Sequence, residues 1–192
     1  MAKLSRNAQV LRFLMEAAPG VGRIKLAKFA YLADCEAHRY LGRGITRFRY
    51  RFDNHGPFDA AFYAAKDELK DGGFATEVDE PVGPYKQVSY RPTDAAVEYD
   101  FSRPEAEILR YVAETYMRYD ARSLCDDIVY QTPPMRKAKV GEVLDMNKMK
   151  QRKPDPLGFS LERVLAGEAS VEAGNYRPLE EAMDELRARH RA

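Results

Sequence analysis

The sequence predicts a mostly α (α+β) protein, a helical bundle-like domain with a small antiparallel β-sheet. Three observations lead to this fold class. Several segments carry apolar residues at helical spacing, residues 24–41 are apolar most of the way around a helical wheel, and two short stretches have the alternation or turn residues of strands. With 192 residues, 45% of them apolar, the chain is long enough for one domain with a short appendage.

Composition excludes several classes of protein. A formal net charge of +1 argues against a strongly basic nucleic-acid or membrane-binding surface over the whole chain. Two cysteines are too few for a disulfide framework. No segment approaches the ~20 consecutive apolar residues of a membrane-spanning helix. We therefore expect a cytoplasmic protein with reduced thiols.

A first helix is predicted to follow Ser5 or Asn7, either of which can cap it, and to continue to about residue 17. Its inward positions are Val10, Leu11 and Leu14. Pro19, Gly20 and Gly22 follow closely, and such residues end helices. This segment is predicted to be an ordinary core element.

The second helix, residues 24–41, is predicted to be the centre of the fold. A narrow polar stripe holds Lys25, Lys28, Glu36 and Arg39, and the other faces are apolar. Asp34 and His38 interrupt the inward side one turn apart, where each must find a partner. They are either a buried polar pair that pins the following chain or a catalytic acid and base. We expect them to fasten the later His-Gly-Pro turn.

Residues 46–52 alternate strictly between aromatic and basic side chains, which predicts a half-buried strand. Phe48, Tyr50 and Phe52 share one face. Arg47, Arg49 and Arg51 share the other, which could bind nucleic acid, could dock an acidic protein, or could simply keep the surface soluble.

The motif Asn54-His55-Gly56-Pro57 is predicted to be a turn that opens a third helix over residues 58–71. Residues 74–78 and 85–90 are predicted to pair as a hairpin around Pro81 and Pro84. With residues 46–52 they would form a three-stranded antiparallel sheet.

Ser102-Arg103-Pro104-Glu105 is a capping box that predicts a helix to about residue 119. Asp120 can cap a further helix over residues 121–130, in which Cys125 is expected to be a small core residue, and Thr132-Pro133-Pro134 ends it. We divide the chain into a domain of residues 1–140 and a basic linker with short helices at about 160–166 and 179–189, residues 141–192. That appendage either folds back or binds a partner.

No nucleotide-binding, nucleophile-elbow or zinc-protease motif is present in the sequence. Cys35-x-x-His38, with His55 approaching in space, is a weak candidate for a metal site. An acid–base or metal enzyme that uses Asp34, His38 and His55 stays an alternative, as does a nucleic-acid-binding module that uses the three arginines. We expect no cofactor.

One combination of motifs resembles a known family. It consists of Lys25-Leu26-x-Lys28-Phe29-x-Tyr31-Leu32-Ala33-Asp34, then Gly42, an aromatic strand, and His55-Gly56-Pro57. Together with Tyr130-Gln131-Thr132-Pro133-Pro134, it is similar to the Panacea antitoxin domain, whose best-known relative is the SocA type of proteolytic adaptor. The resemblance covers roughly residues 7–140. One departure is Met135, where the family often has tryptophan.

The resemblance implies a non-enzymatic protein that binds a toxin encoded beside it. In the SocA type, the antitoxin also delivers the toxin to the ClpXP protease. Membrane contact is not expected, and nucleic acid is an unfavoured partner. The candidate partner-binding or scaffold residues are Lys28, Tyr31, Asp34, His38, Arg47, Arg49, Tyr50, Arg51, His55, Gly56 and Pro57.

Overall fold

The computed structural model describes residues 3–82 and 85–149, which lie within one compact unit, Met1–Arg152. The fold is mostly helical with a small antiparallel sheet, as the sequence predicted. Its helices are α1 (Arg6–Ala17), α2 (Arg23–Leu41), α3 (Ala61–Asp71), α4 (Arg103–Tyr116) and α5 (Ala121–Ser123), and its strands are β1 (Val21–Gly22), β2 (Arg51–Asp53), β3 (Gly56–Phe58), β4 (Ala75–Val82) and β5 (Tyr85–Pro92).

Helix α2 is the central element because almost all of its faces are covered. Helices α1 and α4 pack against it, as does a short 3₁₀ helix, Met146–Met149. Only part of the predicted polar stripe reaches solvent, because Lys28 and Glu36 are buried. The side chains of Lys25 and Arg39 are half-buried. Gly42 ends the helix in the left-handed region, with φ of 72°.

The three-stranded sheet has the order β1-β5-β4 and is antiparallel throughout. The hairpin of β4 and β5 was predicted. The prediction that residues 46–52 form the third strand was wrong, because β1 occupies that position, with Val21 opposite Tyr90 and Gly22 opposite Ser89. Residues 45–50 are instead held by hydrogen bonds to α2.

Strands β2 and β3 form a separate hairpin, with Phe52 opposite Pro57. Of the predicted strand, only residues 51 and 52 are paired with β3, and Asp53 continues the pairing beyond its predicted end. The predicted alternation of burial is nevertheless present, because Tyr50 is buried and Arg47, Arg49 and Arg51 are exposed. The His-Gly-Pro motif belongs to this hairpin and does not open a helix.

The helix caps that the sequence predicted are present at three helices. Ser5 caps α1, and Ser102 with Glu105 forms the capping box of α4. Asp120 accepts hydrogen bonds from the backbone of Arg122 and Ser123. Helix α3, however, begins only at Ala61, whose backbone N–H donates to Asp59 Oδ1 at 2.9 Å.

One helix of the later chain differs from its prediction. The predicted helix over residues 121–130 is α-helical only in α5 and continues as a π-helical turn, Leu124–Val129, in which Cys125 is buried as expected. In the described part of the predicted linker, Leu144 and Met149 are buried. The helices predicted at residues 160–166 and 179–189 lie outside the described residues, and the boundary between residues 140 and 141 stays a prediction.

Candidate protein-binding site

Asp34 holds the chain that follows α2. Its carboxylate accepts hydrogen bonds from the backbone N–H of Ile45 at 2.7 Å and of Thr46 at 2.9 Å, and from the Tyr50 hydroxyl at 2.8 Å. The Thr46 hydroxyl donates a fourth. Burial raises the pKa of Asp34, and these four donors oppose that rise. Asp34 therefore holds residues 45–50 against α2.

His38 lies beside Asp34 without pairing with it. A Cβ placed on Gly44 would come within 3.1 Å of Asp34 Oδ1 and 3.4 Å of His38 Nε2, so both side chains border that glycine. The four donors to Asp34 all come from the chain after the helix. The expectation that Asp34 and His38 fasten the His-Gly-Pro turn was wrong. The Asp34 carboxylate is instead hydrogen-bonded to four donors in residues 45–50, which precede that turn.

Lys28 is the residue that holds the His-Gly-Pro turn. Its side chain is buried, and its Nζ donates to the carbonyl oxygen of Pro57 at 2.9 Å. Burial lowers the pKa of Lys28 to about 8, against the opposing influence of Cys125 and Asp53. A basic side chain that the helical wheel assigned to a polar stripe is thus a buried link between α2 and the β2–β3 hairpin.

Gly56 is required at this point of the hairpin for two reasons. Its φ of +90° is unfavourable for other residues, and a Cβ there would lie 3.3 Å from Lys28 Nζ and 3.4 Å from a ring atom of Tyr130. His55, the residue before it, is exposed. The histidine of the motif therefore faces solvent while the glycine and the proline are buried.

Tyr31 connects α2 to the Gln-Thr-Pro-Pro segment. Its hydroxyl and the hydroxyl of Thr132 share a hydrogen bond of 2.7 Å, and its ring meets that of Tyr50 edge-on, with centroids 5.1 Å apart. Burial raises the pKa of Tyr31. Met135, the departure from the family pattern, is also buried, so it fills the core and does not alter the surface.

Besides His55, the exposed residues of the candidate set are Arg47, Arg49 and Arg51, which we call the arginine face. Side chains of other elements hold its backbone: Asn7 Oδ1 accepts from Arg47 N–H at 2.8 Å, and Asp59 Oδ2 accepts from Arg49 N–H at 2.5 Å. Among the described residues, neither of these two arginines forms a side-chain ion pair. The face is thus a basic surface on a fixed backbone.

The geometry gives little support to the enzymatic alternative. Asp34 is fully engaged by four donors, while His55 sits in the exposed loop of a hairpin that contacts α2 through Lys28. Among residues 3–82 and 85–149, no three histidine, cysteine or acidic side chains are arranged to hold a metal ion. Burial also raises the pKa of the Cys35 thiol, which disfavours the thiolate that binds metals.

No helix within residues 3–82 and 85–149 is long and apolar enough to cross a membrane.

Sequence reasoning missed three residues that border the arginine face. Phe58 is paired with Arg51 across the hairpin, Tyr63 packs against Phe58, and Val143 is paired with Arg51 from the other side. Phe58 and Tyr63 are close in sequence, so a local pattern could have pointed to them. The pairing of Val143 with Arg51 is a contact between distant segments that no local pattern reveals.

Comparison with known proteins gives one match. A family model described as "Antitoxin SocA-like, Panacea domain" matches residues 26–133, which is more than half of the 192-residue chain. No curated protein and no solved structure matches significantly. The matched range includes every candidate residue discussed above except Val143.

Proposed function

Because the chain belongs to the SocA-like Panacea antitoxin family, we propose that it is the antitoxin of a bacterial toxin–antitoxin pair and binds its toxin directly. The family match over residues 26–133 carries the proposal. It implies a protein toxin as partner and a non-enzymatic role. A cytoplasmic location follows, since the antitoxin would meet its toxin there.

The division between buried and exposed candidate residues supports a binding role. Four of the candidate residues are buried and form hydrogen bonds within the protein: Lys28, Tyr31, Asp34 and Tyr50. We assign them to the scaffold. We assign toxin contact to the arginine face, because exposed arginines on a rigid backbone suit an acidic protein surface.

Binding is tested by co-expressing the chain, carrying an affinity tag, with the product of the adjacent gene. We expect the two proteins to co-purify in a fixed ratio through size-exclusion chromatography. If the adjacent product is folded and soluble but elutes separately from the tagged chain, the proposal is wrong.

The family also supports a second role, delivery of the bound toxin to the ClpXP protease. A purified degradation assay separates this role from simple neutralisation. An adaptor would make the toxin disappear only when the chain, ClpXP and ATP are all present. A toxin that is equally stable with and without the chain would leave neutralisation as the whole function.

A further inference from the structure

Arg51 lies between two apolar side chains on the outer face of its hairpin. It is paired with Phe58 of β3 on one side and with Val143 on the other. Residues directly opposite one another on antiparallel strands project to the same face. Val143 is 61% exposed and Phe58 is half-buried, so the guanidinium is flanked by apolar surface that solvent reaches.

The same surface continues at both ends. Tyr63 on α3 is 44% exposed, and its ring centroid is 5.3 Å from that of Phe58. Arg49 and Arg51 are exposed on either side of the buried Tyr50, so their side chains leave the same side of the chain. Two residues of an extended chain span about 7 Å. We call Arg49, Arg51, Phe58, Tyr63 and Val143 the arginine–aromatic face.

The backbone fixes Val143 in this position. Gly141 N–H donates to the Phe52 carbonyl at 2.7 Å, and Phe52 N–H donates to the Glu142 carbonyl at 2.8 Å. Gly141 and Glu142 thus both lie opposite Phe52, as in a β-bulge. Leu144 N–H donates to the Tyr50 carbonyl at 2.8 Å. The Arg51 guanidinium also donates to the Gly141 carbonyl. The face is therefore formed before any partner arrives.

Among the described residues, no carboxylate forms an ion pair with Arg49 or Arg51. The nearby carboxylates instead accept hydrogen bonds from backbone N–H groups. Asp59 accepts from the N–H groups of Arg49 and Ala61, Glu142 accepts from Lys139 N–H, and Asp53 accepts from Asn54 N–H. The guanidinium groups of Arg49 and Arg51 therefore have no carboxylate partner among the described residues and can each pair with a carboxylate of a partner protein.

The composition of the face favours a protein over a nucleic acid. Arginine and tyrosine around a partly desolvated apolar centre are typical of protein-binding hot spots. A site for single-stranded nucleic acid typically offers open aromatic rings on which bases stack. The Phe58 ring is instead packed against Phe62 and Tyr63, with centroids 5.9 and 5.3 Å away.

We propose that the arginine–aromatic face binds a segment of the toxin that carries two carboxylates about 7 Å apart, with an apolar side chain beside them. The carboxylates pair with Arg49 and Arg51, and the apolar side chain contacts Val143 and Phe58. This inference rests on the proposed function, since it names the part of the toxin that the antitoxin recognises.

Site-specific cross-linking tests the position of the contact. The photo-reactive amino acid p-benzoylphenylalanine replaces Val143, Tyr63 or, as a control on α4, Tyr111, which is 53% exposed. Each full-length variant is co-expressed with the adjacent gene product and irradiated. We expect cross-links from positions 143 and 63 to one acidic toxin segment, and none from position 111.

Charge reversal tests the chemistry. Arg51→Glu and Arg49→Glu should each weaken toxin binding at least tenfold, and replacing the cross-linked toxin acids by arginine should restore it. The Arg49→Glu variant covers the case in which Arg51→Glu fails to fold, because the Arg49 side chain makes no hydrogen bond among the described residues. Arg122→Glu is the matched control, since Arg122 is 92% exposed on α5; it should change affinity less than twofold.

The outcomes separate the two claims. A complex that forms but cross-links only from position 111, or that tolerates both charge reversals, overturns this inference and leaves the proposed function standing. The absence of any complex overturns both. If the chain binds a 20-nucleotide single-stranded RNA at physiological salt and the charge reversals abolish that binding while toxin binding persists, the face is a nucleic-acid site.

Discussion

The Tyr50 hydroxyl donates to Asp34 Oδ2 across 16 residues of sequence, at 2.8 Å. This bond joins the central helix to the segment that carries the arginine face, and three further donors to Asp34 come from the same segment. The arrangement of the exposed surface thus depends on a buried carboxylate.

Replacing Asp34 tests this dependence. Asp34→Ala leaves four donors without their acceptor, each of them costing about 1–3 kcal/mol when buried and unpaired. We expect the free energy of unfolding in urea to fall by at least about 3 kcal/mol. Tyr50→Phe removes one donor and should cost about 1–3 kcal/mol. A change below ~0.5 kcal/mol for Asp34→Ala would show that the network is not needed for stability.

The pH dependence of stability tests the burial of Lys28. The pKa of its ammonium falls from 10.5 in the unfolded chain to about 8 in the folded protein. Between these values the unfolded chain binds more protons, so stability rises with pH across this interval. Below pH 8 the full cost of burying the charge is present, up to about 3 kcal/mol.

The variant Lys28→Met isolates this effect because it keeps the length of the side chain and removes the charge. The difference in unfolding free energy between wild type and variant should change by up to about 3 kcal/mol from pH 8 to pH 10.5, in favour of wild type at the higher pH. A difference that stays constant over this range would mean that the Lys28 ammonium is not desolvated.

Two glycines with the same backbone φ offer a matched pair of substitutions. Gly56 and Gly141 both have φ of +90°, but only at Gly56 would a Cβ meet Lys28 and Tyr130; at Gly141 nothing lies within 4 Å. Gly141→Ala should therefore cost about 1–2 kcal/mol from backbone strain alone. Gly56→Ala should cost an additional 1 kcal/mol or more, roughly, from crowding. Equal losses of unfolding free energy in the two variants would show that the Lys28 side chain moves aside without destabilising the protein.

Features governed by neighbouring residues could be predicted from the sequence. The caps at Ser5, Ser102 and Asp120 and the burial alternation around Tyr50 depend on a few adjacent positions. The family resemblance, carried by motifs between Lys25 and Pro134, was confirmed by the match over residues 26–133.

Features governed by distant contacts could not be predicted. A helical wheel places Lys28 with solvent because it cannot show that the Pro57 carbonyl lies within reach of the ammonium group. Strand β1 has only two residues, too few for any period. The pairing of Val143 with Arg51 joins segments 92 residues apart, and this part of the binding surface appears only in the folded chain.

Growth rescue tests the central claim most directly. The adjacent gene is induced in a bacterial host, with and without co-expression of the chain. The level of the chain is checked by immunoblot, and its folding is checked by circular dichroism of the purified protein. The proposed function predicts that the adjacent gene alone arrests growth and that co-expression of the chain restores it. Growth arrest that persists in the presence of abundant, folded chain, or an adjacent gene that is harmless alone, would contradict it.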